Sequence, residues 1–189
     1  MGNRFSGGGS SGESERYWDN ALRRCLNRTI QTLILAKQKI SVQNMRKLVS
    51  SAPTEEEIEA MSGMSDEELL EWSNKNYCVA CVMDGAGESQ TEKEEEEHDL
   101  IYDYFMREFV KMPDKTRSTI EESFLGLAEP FMSGILKEYF SKGVNIKPEM
   151  SFDGKIIILD FSVKEYLQAG VYAQGIFKLL WQQATERRE

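Results

Sequence analysis

Lys155-Ile156-Ile157-Ile158-Leu159-Asp160-Phe161, set off by the turn pair Asp153-Gly154, is the stretch on which the fold reading hinges. Three consecutive isoleucines followed by leucine favour a pleated backbone, and a continuous apolar run fits a strand covered on both faces. A lone strand cannot satisfy its own N–H and C=O groups. The segment is therefore expected to lie between neighbouring strands, as in parallel sheets flanked by helices. Tyr172 to Arg188 follows as an amphipathic helix through Ile176, Phe177, Leu179, Leu180 and Trp181, which completes half of an α/β unit.

Working back from that unit, the apolar residues recur with helical period. Between Arg117 and Phe140 they fall at Ile120, Phe124, Leu127, Phe131, Ile135, Leu136 and Tyr139, with Pro130 as an expected kink or break. Leu100, Ile101, Tyr104, Phe105, Phe109 and Val110 form another helical face, ended by Pro113. Near the N-terminus, Trp18, Ala21, Leu22, Cys25, Leu26, Ile30, Leu33 and Ile34 mark one stripe of a helix from Glu15 to about Lys39. Three polar residues read as helix starts: Ser41, Thr54 ahead of Glu55-Glu56-Glu57, and Ser65 with Glu68 three residues on.

Two segments break the pattern. Ser6 to Ser14 holds four glycines and four serines, too costly in backbone entropy to pack alone, and reads as a flexible lead. Asp84-Gly85-Ala86-Gly87, followed by Glu92-Lys93-Glu94-Glu95-Glu96-Glu97, reads as an acidic linker or a solvated helix start. The expected class is mainly α: a helical bundle with a small α/β remnant near the C-terminus. Its organisation is a flexible lead at 1–14, a helical domain at 15–140 with an acidic linker at 84–99, and a strand–helix portion at 141–189.

With 32 acidic against 23 basic residues the net charge is −9, which disfavours non-specific capture of nucleic acid or anionic lipid by the whole surface. No apolar stretch approaches the roughly 20 residues needed to span a bilayer, and no secretory h-region is present at the N-terminus. Three cysteines are too few and odd in number for a secreted disulfide framework, so a reducing, cytoplasmic setting is expected.

Candidate chemistry is thin. Gly154-Lys155 lacks the upstream glycine of a phosphate loop, having Glu149 there and Ile156 after it. Asp160 ends an apolar run as a magnesium-positioning acid would, but Phe161 follows it in place of a second acid. Cys78-Val79-Ala80-Cys81 has the spacing of half a zinc site, yet only Cys25 and the single His98 remain to complete four ligands. No catalytic, cofactor or metal residue is assigned. Two surfaces remain for partners: Arg16, Arg23, Arg24 and Arg28, which lie mostly off the apolar stripe, with Tyr17 and Trp18 able to stack on bases, although Trp18 is on the stripe and is expected to pack in the core; and the acids Glu94, Glu95, Glu96 and Glu97.

Two stretches together resemble a known family. The glycine-rich lead into Tyr17-Trp18-Asp19-Asn20-Ala21, then a long helix and Ser41-Val42, is similar to the middle of conjugative coupling ATPases of the type IV secretion TraG/TraD group. Gly154 to Ser162, continuing to Trp181-Gln182-Gln183-Ala184 and Arg187-Arg188, resembles that group just upstream of its second nucleotide motif. The resemblance implies an all-helical insert facing a protein or nucleoprotein transfer substrate, possible DNA contact, and assembly with the rest of a hexameric RecA-like motor at the inner membrane. ATP and magnesium would belong to that parent. The phosphate loop would fall before Met1 and the magnesium acid after Glu189, so no catalytic residue carries over. The rival expectation is a stand-alone acidic helical adaptor that binds a basic partner.

Overall fold

The computed structural model describes residues 9–88, 91–140, 146–160 and 162–188. The chain is mainly α-helical and divides into two compact units, one ending at Ala128 and one beginning at Glu129. The division thus falls at the break around Pro130, ahead of the expected boundary after residue 140.

The first unit is built on α1 (Gly9–Leu35). Gly9 to Ser14, expected to be part of a flexible lead, already belong to this helix; the lead's residues 1–8 lie outside the described residues. The buried stripe of α1 runs through Cys25, Thr29, Thr32 and Leu33 and on to Ala36 just past its end, with Trp18, Ala21 and Leu22 half-buried. Two threonines thus occupy core positions, which their own helix makes tolerable. Thr29 Oγ1 donates to the Cys25 carbonyl at 2.8 Å and Thr32 Oγ1 to the Arg28 carbonyl at 2.7 Å. Ile34, expected on the stripe, is exposed. The helix closes with Lys37 at φ 51°, while the Gln38 N–H reaches back to the Leu33 carbonyl at 2.8 Å.

The next helices start where their caps dictate. Ser41 Oγ accepts from the Asn44 N–H ahead of α2 (Val42–Ser50). Thr54 with Glu57 and Ser65 with Glu68 form reciprocal capping boxes at α3 (Glu55–Met61) and α4 (Asp66–Lys75). Asn76 then separates α4 from the next helix. Its side-chain oxygen accepts from the Val79 N–H at 3.0 Å and starts α5 (Tyr77–Glu88).

Asp84 to Gly87 corrects the linker reading: these residues lie in the last turns of α5. Gly85 is buried there, where an added Cβ would stand 3.4 Å from Leu35 Cβ and 3.6 Å from His98 Cδ2. Helices meet at that point, at a distance where a methyl group would make ordinary van der Waals contact. The acidic run likewise forms the first half of α6 (Glu92–Tyr102), capped by a Thr91–Glu94 box; residues 89 and 90 lie outside the described residues.

Beyond Tyr102, α6 widens into a π-helical turn at Asp103–Glu108. The Phe109 N–H donates to the Tyr104 carbonyl at 2.8 Å, five residues back. In a regular α-helix residues five apart point about 140° from each other. The wide turn instead brings the Tyr104 and Phe109 rings within 5.6 Å and sets Phe105 edge-on to both. All three rings are buried and form the centre of the core with Leu48, Val49, Val79, Val82, Ile101, Ile120 and Phe124. The last two come from α7 (Asp114–Ala128).

The second unit holds a short 3-10 turn (Glu129–Phe131), α8 (Gly134–Phe140), a second 3-10 turn (Pro148–Ser151) and α9 (Val163–Glu186). Phe131 lies 6.0 Å from both the Phe140 and Tyr172 rings, Trp181 Nε1 donates to Ser151 Oγ, and Arg188 covers Phe152. Leu136, Pro148, Ala173 and Ala184 are its buried side chains among the described residues. Much apolar surface stays in solvent on α9, including Leu167, Val171, Leu179 and Leu180.

The expected buried strand is not found. Residues 155–160 are neither helix nor strand, and no strand occurs among the described residues; Phe161 lies outside them. Ile156 is 90% exposed and Ile158 84%, the reverse of cover on both faces. The turn before them does form: Gly154 adopts φ 81°, and the Lys155 N–H donates to the Met150 carbonyl at 3.2 Å. A β-branched run becomes a strand only beside a backbone that takes up its hydrogen bonds.

Candidate functional site

At 100° per residue, Arg16, Asn20, Arg23, Arg24, Asn27, Arg28 and Gln31 all fall within about 140° of one another on α1, opposite the stripe through Cys25 and Leu33. From Arg16 to Gln31 this polar face extends for about 23 Å at ~1.5 Å per residue. From Asn20 to Gln31 its side chains, with Ile30, line a shallow open depression. The sequence reading identified the arginines. The interleaved amides it passed over, although their spacing from the arginines carries the same helical signal.

Not all the cations are equally available. Arg24 Nη2 lies 2.6 Å from one carboxylate oxygen of Glu108 and 2.8 Å from the other, and its guanidinium stands 5.2 Å from the centre of the Tyr104 ring. Arg28 Nη1 donates to Gln31 Oε1 at 2.8 Å. Arg16 and Arg23 are exposed. Tyr17, 58% exposed, shares this side at the N-terminal end, edge-on to Trp18 at 5.1 Å. Trp18 itself is half-buried against the core, which leaves Tyr17 as the aromatic open to a ligand.

Beneath the face, Cys25 and Tyr104 are buried together. Burial pushes the Cys25 thiol up to about 11, and the Tyr104 hydroxyl is likewise raised by burial. Tyr104 Oη lies beside the thiol but makes no hydrogen bond of good geometry among the described residues. Cys78, more deeply buried, is also raised well above the ordinary thiol value. Thiols held protonated are poor nucleophiles and poor metal ligands. Cys25, Cys78 and Cys81 act as core residues and form no disulfide.

The acidic surface is less of a unit. Glu94 Oε2 accepts from the Thr91 N–H and hydroxyl as a cap, and Glu97 lies 3.7 Å from Lys93 Nζ, which leaves Glu95 and Glu96 exposed on α6. His98 Nε2 pairs with the Val82 carbonyl at 2.9 Å and ties α6 to α5.

Arg117, away from the α1 face, has a definite set of partners. It donates to the carbonyls of Pro53 at 2.6 Å and Ala52 at 2.5 Å and to Glu121 at 2.8 Å, with its guanidinium 5.0 Å from the Phe109 ring centre. Its hydrogen bonds hold the segment just after α2 against α7. No helix among the described residues is long and apolar enough to cross a membrane. Comparison with known proteins returned no match among family models, curated proteins or solved structures.

Proposed function

We propose that this chain is the substrate- or partner-recognition module of a DNA-transfer or secretion motor ATPase and works by binding, with nucleotide hydrolysis left to the remainder of the motor. The observation that carries this reading is the polar face of α1. Four arginines and three amides lie on one side of a helix whose other side is core, in a chain of net charge −9. Concentrating cations against an acidic background has an electrostatic cost that an anionic partner offsets. The resemblance to the coupling ATPases adds the setting, a helical insert that meets a protein or nucleoprotein substrate.

The test is binding of anionic probes by the whole chain, with Arg16→Gln/Arg23→Gln/Arg28→Gln as the comparison. Affinity should fall steeply with added salt and be lost in the triple variant while the circular dichroism stays unchanged. Equal binding by the two proteins would remove the reading.

A second reading rests on the exposed Glu95 and Glu96. In it the chain is a stand-alone acidic helical adaptor that docks a basic partner through α6. Binding of a polylysine probe that vanishes in Glu95→Gln/Glu96→Gln, together with indifference to the arginine substitutions, would favour it.

A further inference from the structure

Arg24 stands at mid-length of the α1 polar face and lines its depression, yet among the described residues it is the one arginine of that face with a carboxylate partner. Arg16 and Arg23 are exposed, and Arg28 turns to the neutral amide of Gln31. Glu108 reaches Arg24 from the last residue of the widened turn. The same turn sets the Tyr104 ring 5.2 Å from the guanidinium, so one local distortion of the helix supplies both contacts.

The geometry of the pair decides what it does to a ligand. Both Glu108 oxygens fall on Nη2, at 2.6 and 2.8 Å. Nη2 belongs to both edges by which a guanidinium grips a carboxylate or phosphate in a fork, so a carboxylate centred on it blocks that grip. It also cancels a positive charge in the middle of a face whose other arginines stay cationic. The block is weakly held, because both side chains are about half exposed and water screens the pair. We propose that Glu108 is a built-in competitor for the α1 face, holding Arg24 until an oxyanion of the partner displaces it. Breaking the tie between α1 and the widened turn and filling the face are then linked events, and whatever loosens the first tightens the second. This deepens the recognition reading above and rests on it.

The probe is inorganic polyphosphate of about 20 units, titrated by calorimetry against the whole chain at about 150 mM salt, where charges more than roughly 8 Å apart are largely screened. Glu108→Gln should tighten binding about two- to fivefold, as expected when an exposed ion pair no longer has to be broken. In an Arg24→Gln background the same substitution should change affinity by less than about 1.5-fold, since only screened repulsion is left to remove. An equal gain in both backgrounds means that Glu108 acts as one more negative charge and overturns the proposal, as does the absence of any gain. If Arg16→Gln/Arg23→Gln/Arg28→Gln loses polyphosphate while Glu108→Gln binds it as the wild type does, the competitor inference falls and the recognition reading stands. If the triple variant binds polyphosphate no differently from the wild type, both fall.

Discussion

Arg24 and Glu108 join the basic face of α1 to the wide turn that follows α6, with the guanidinium 2.6 Å from the carboxylate across 84 residues of sequence. Both side chains are about half exposed, and solvent screening keeps exposed ion pairs to about 0.2–1 kcal/mol. Glu108→Gln should therefore cost less than about 1 kcal/mol in urea unfolding, a loss that shrinks in high salt.

Arg117 presents the opposite case. Its side chain is 15% exposed and satisfies two backbone carbonyls as well as Glu121. Hydrogen bonds to charged groups contribute about 1.5–3 kcal/mol each, so Arg117→Ala should destabilise by at least about 2 kcal/mol. Arg117→Lys should recover little, since an ammonium cannot reproduce the planar fork. Chemical denaturation of the two variants decides it: a lysine variant as stable as the wild type would show that charge alone matters here.

In the aromatic core, Tyr104 and Phe105 should respond differently to truncation. Phe105→Ala removes a fully buried ring and should cost about 3–5 kcal/mol. Tyr104→Phe removes a buried hydroxyl that lacks a well-formed hydrogen bond and should be neutral or slightly stabilising in thermal unfolding. A loss above about 1 kcal/mol would mean that the hydroxyl bonds productively to the Cys25 sulfur.

Alkaline pH should weaken the fold. The Cys25 thiol is raised from 9.0 to about 11 and the Tyr77 hydroxyl from 10.0 to about 12, in both cases chiefly by burial. Below pH 9 both folded and unfolded chains keep these protons, and stability is unaffected. As pH rises from 9 towards 12 the unfolded chain ionises first, so stability falls through that window. Denaturant midpoints measured across it should decline steadily. At pH 8, native protein should resist a thiol reagent that labels all three cysteines once it is unfolded.

Ile156 and Ile158 should tolerate polar replacement. At 90% and 84% exposure they contribute little burial, and Ile156→Ser/Ile158→Ser should change stability by less than about 0.5 kcal/mol. A large loss would show that these side chains are covered in solution.

What could be read from sequence was what depends on near neighbours. The caps at Ser41, Thr54 and Ser65 need only a residue three positions on, and each lies where its spacing put it. The grouping of Arg16, Arg23, Arg24 and Arg28 on one side of α1 follows from helical period alone. The acid run opens a helix, one of the two readings its sequence allowed, and Thr91 with Glu94 was the overlooked signal. Features decided at a distance were illegible. Gly85 looked like turn punctuation because Leu35 and His98, against which it is buried, come from other helices. The pairing of Arg24 with Glu108, and of Arg117 with the end of α2, had no local trace. The isoleucine run misled because its composition favours a strand while its hydrogen-bond partners must come from elsewhere in space.

The widened turn at Asp103–Glu108 holds one residue more than a regular helix would between the same two faces. Removing one residue between Tyr104 and Phe109 would set them four apart, about 40° from each other in a regular α-helix, so α-helical hydrogen bonding could close there with Phe109 still on the core side. A deletion at this turn should therefore be better borne than one earlier in α6, where everything beyond would swing by about 100° with no slack to absorb it.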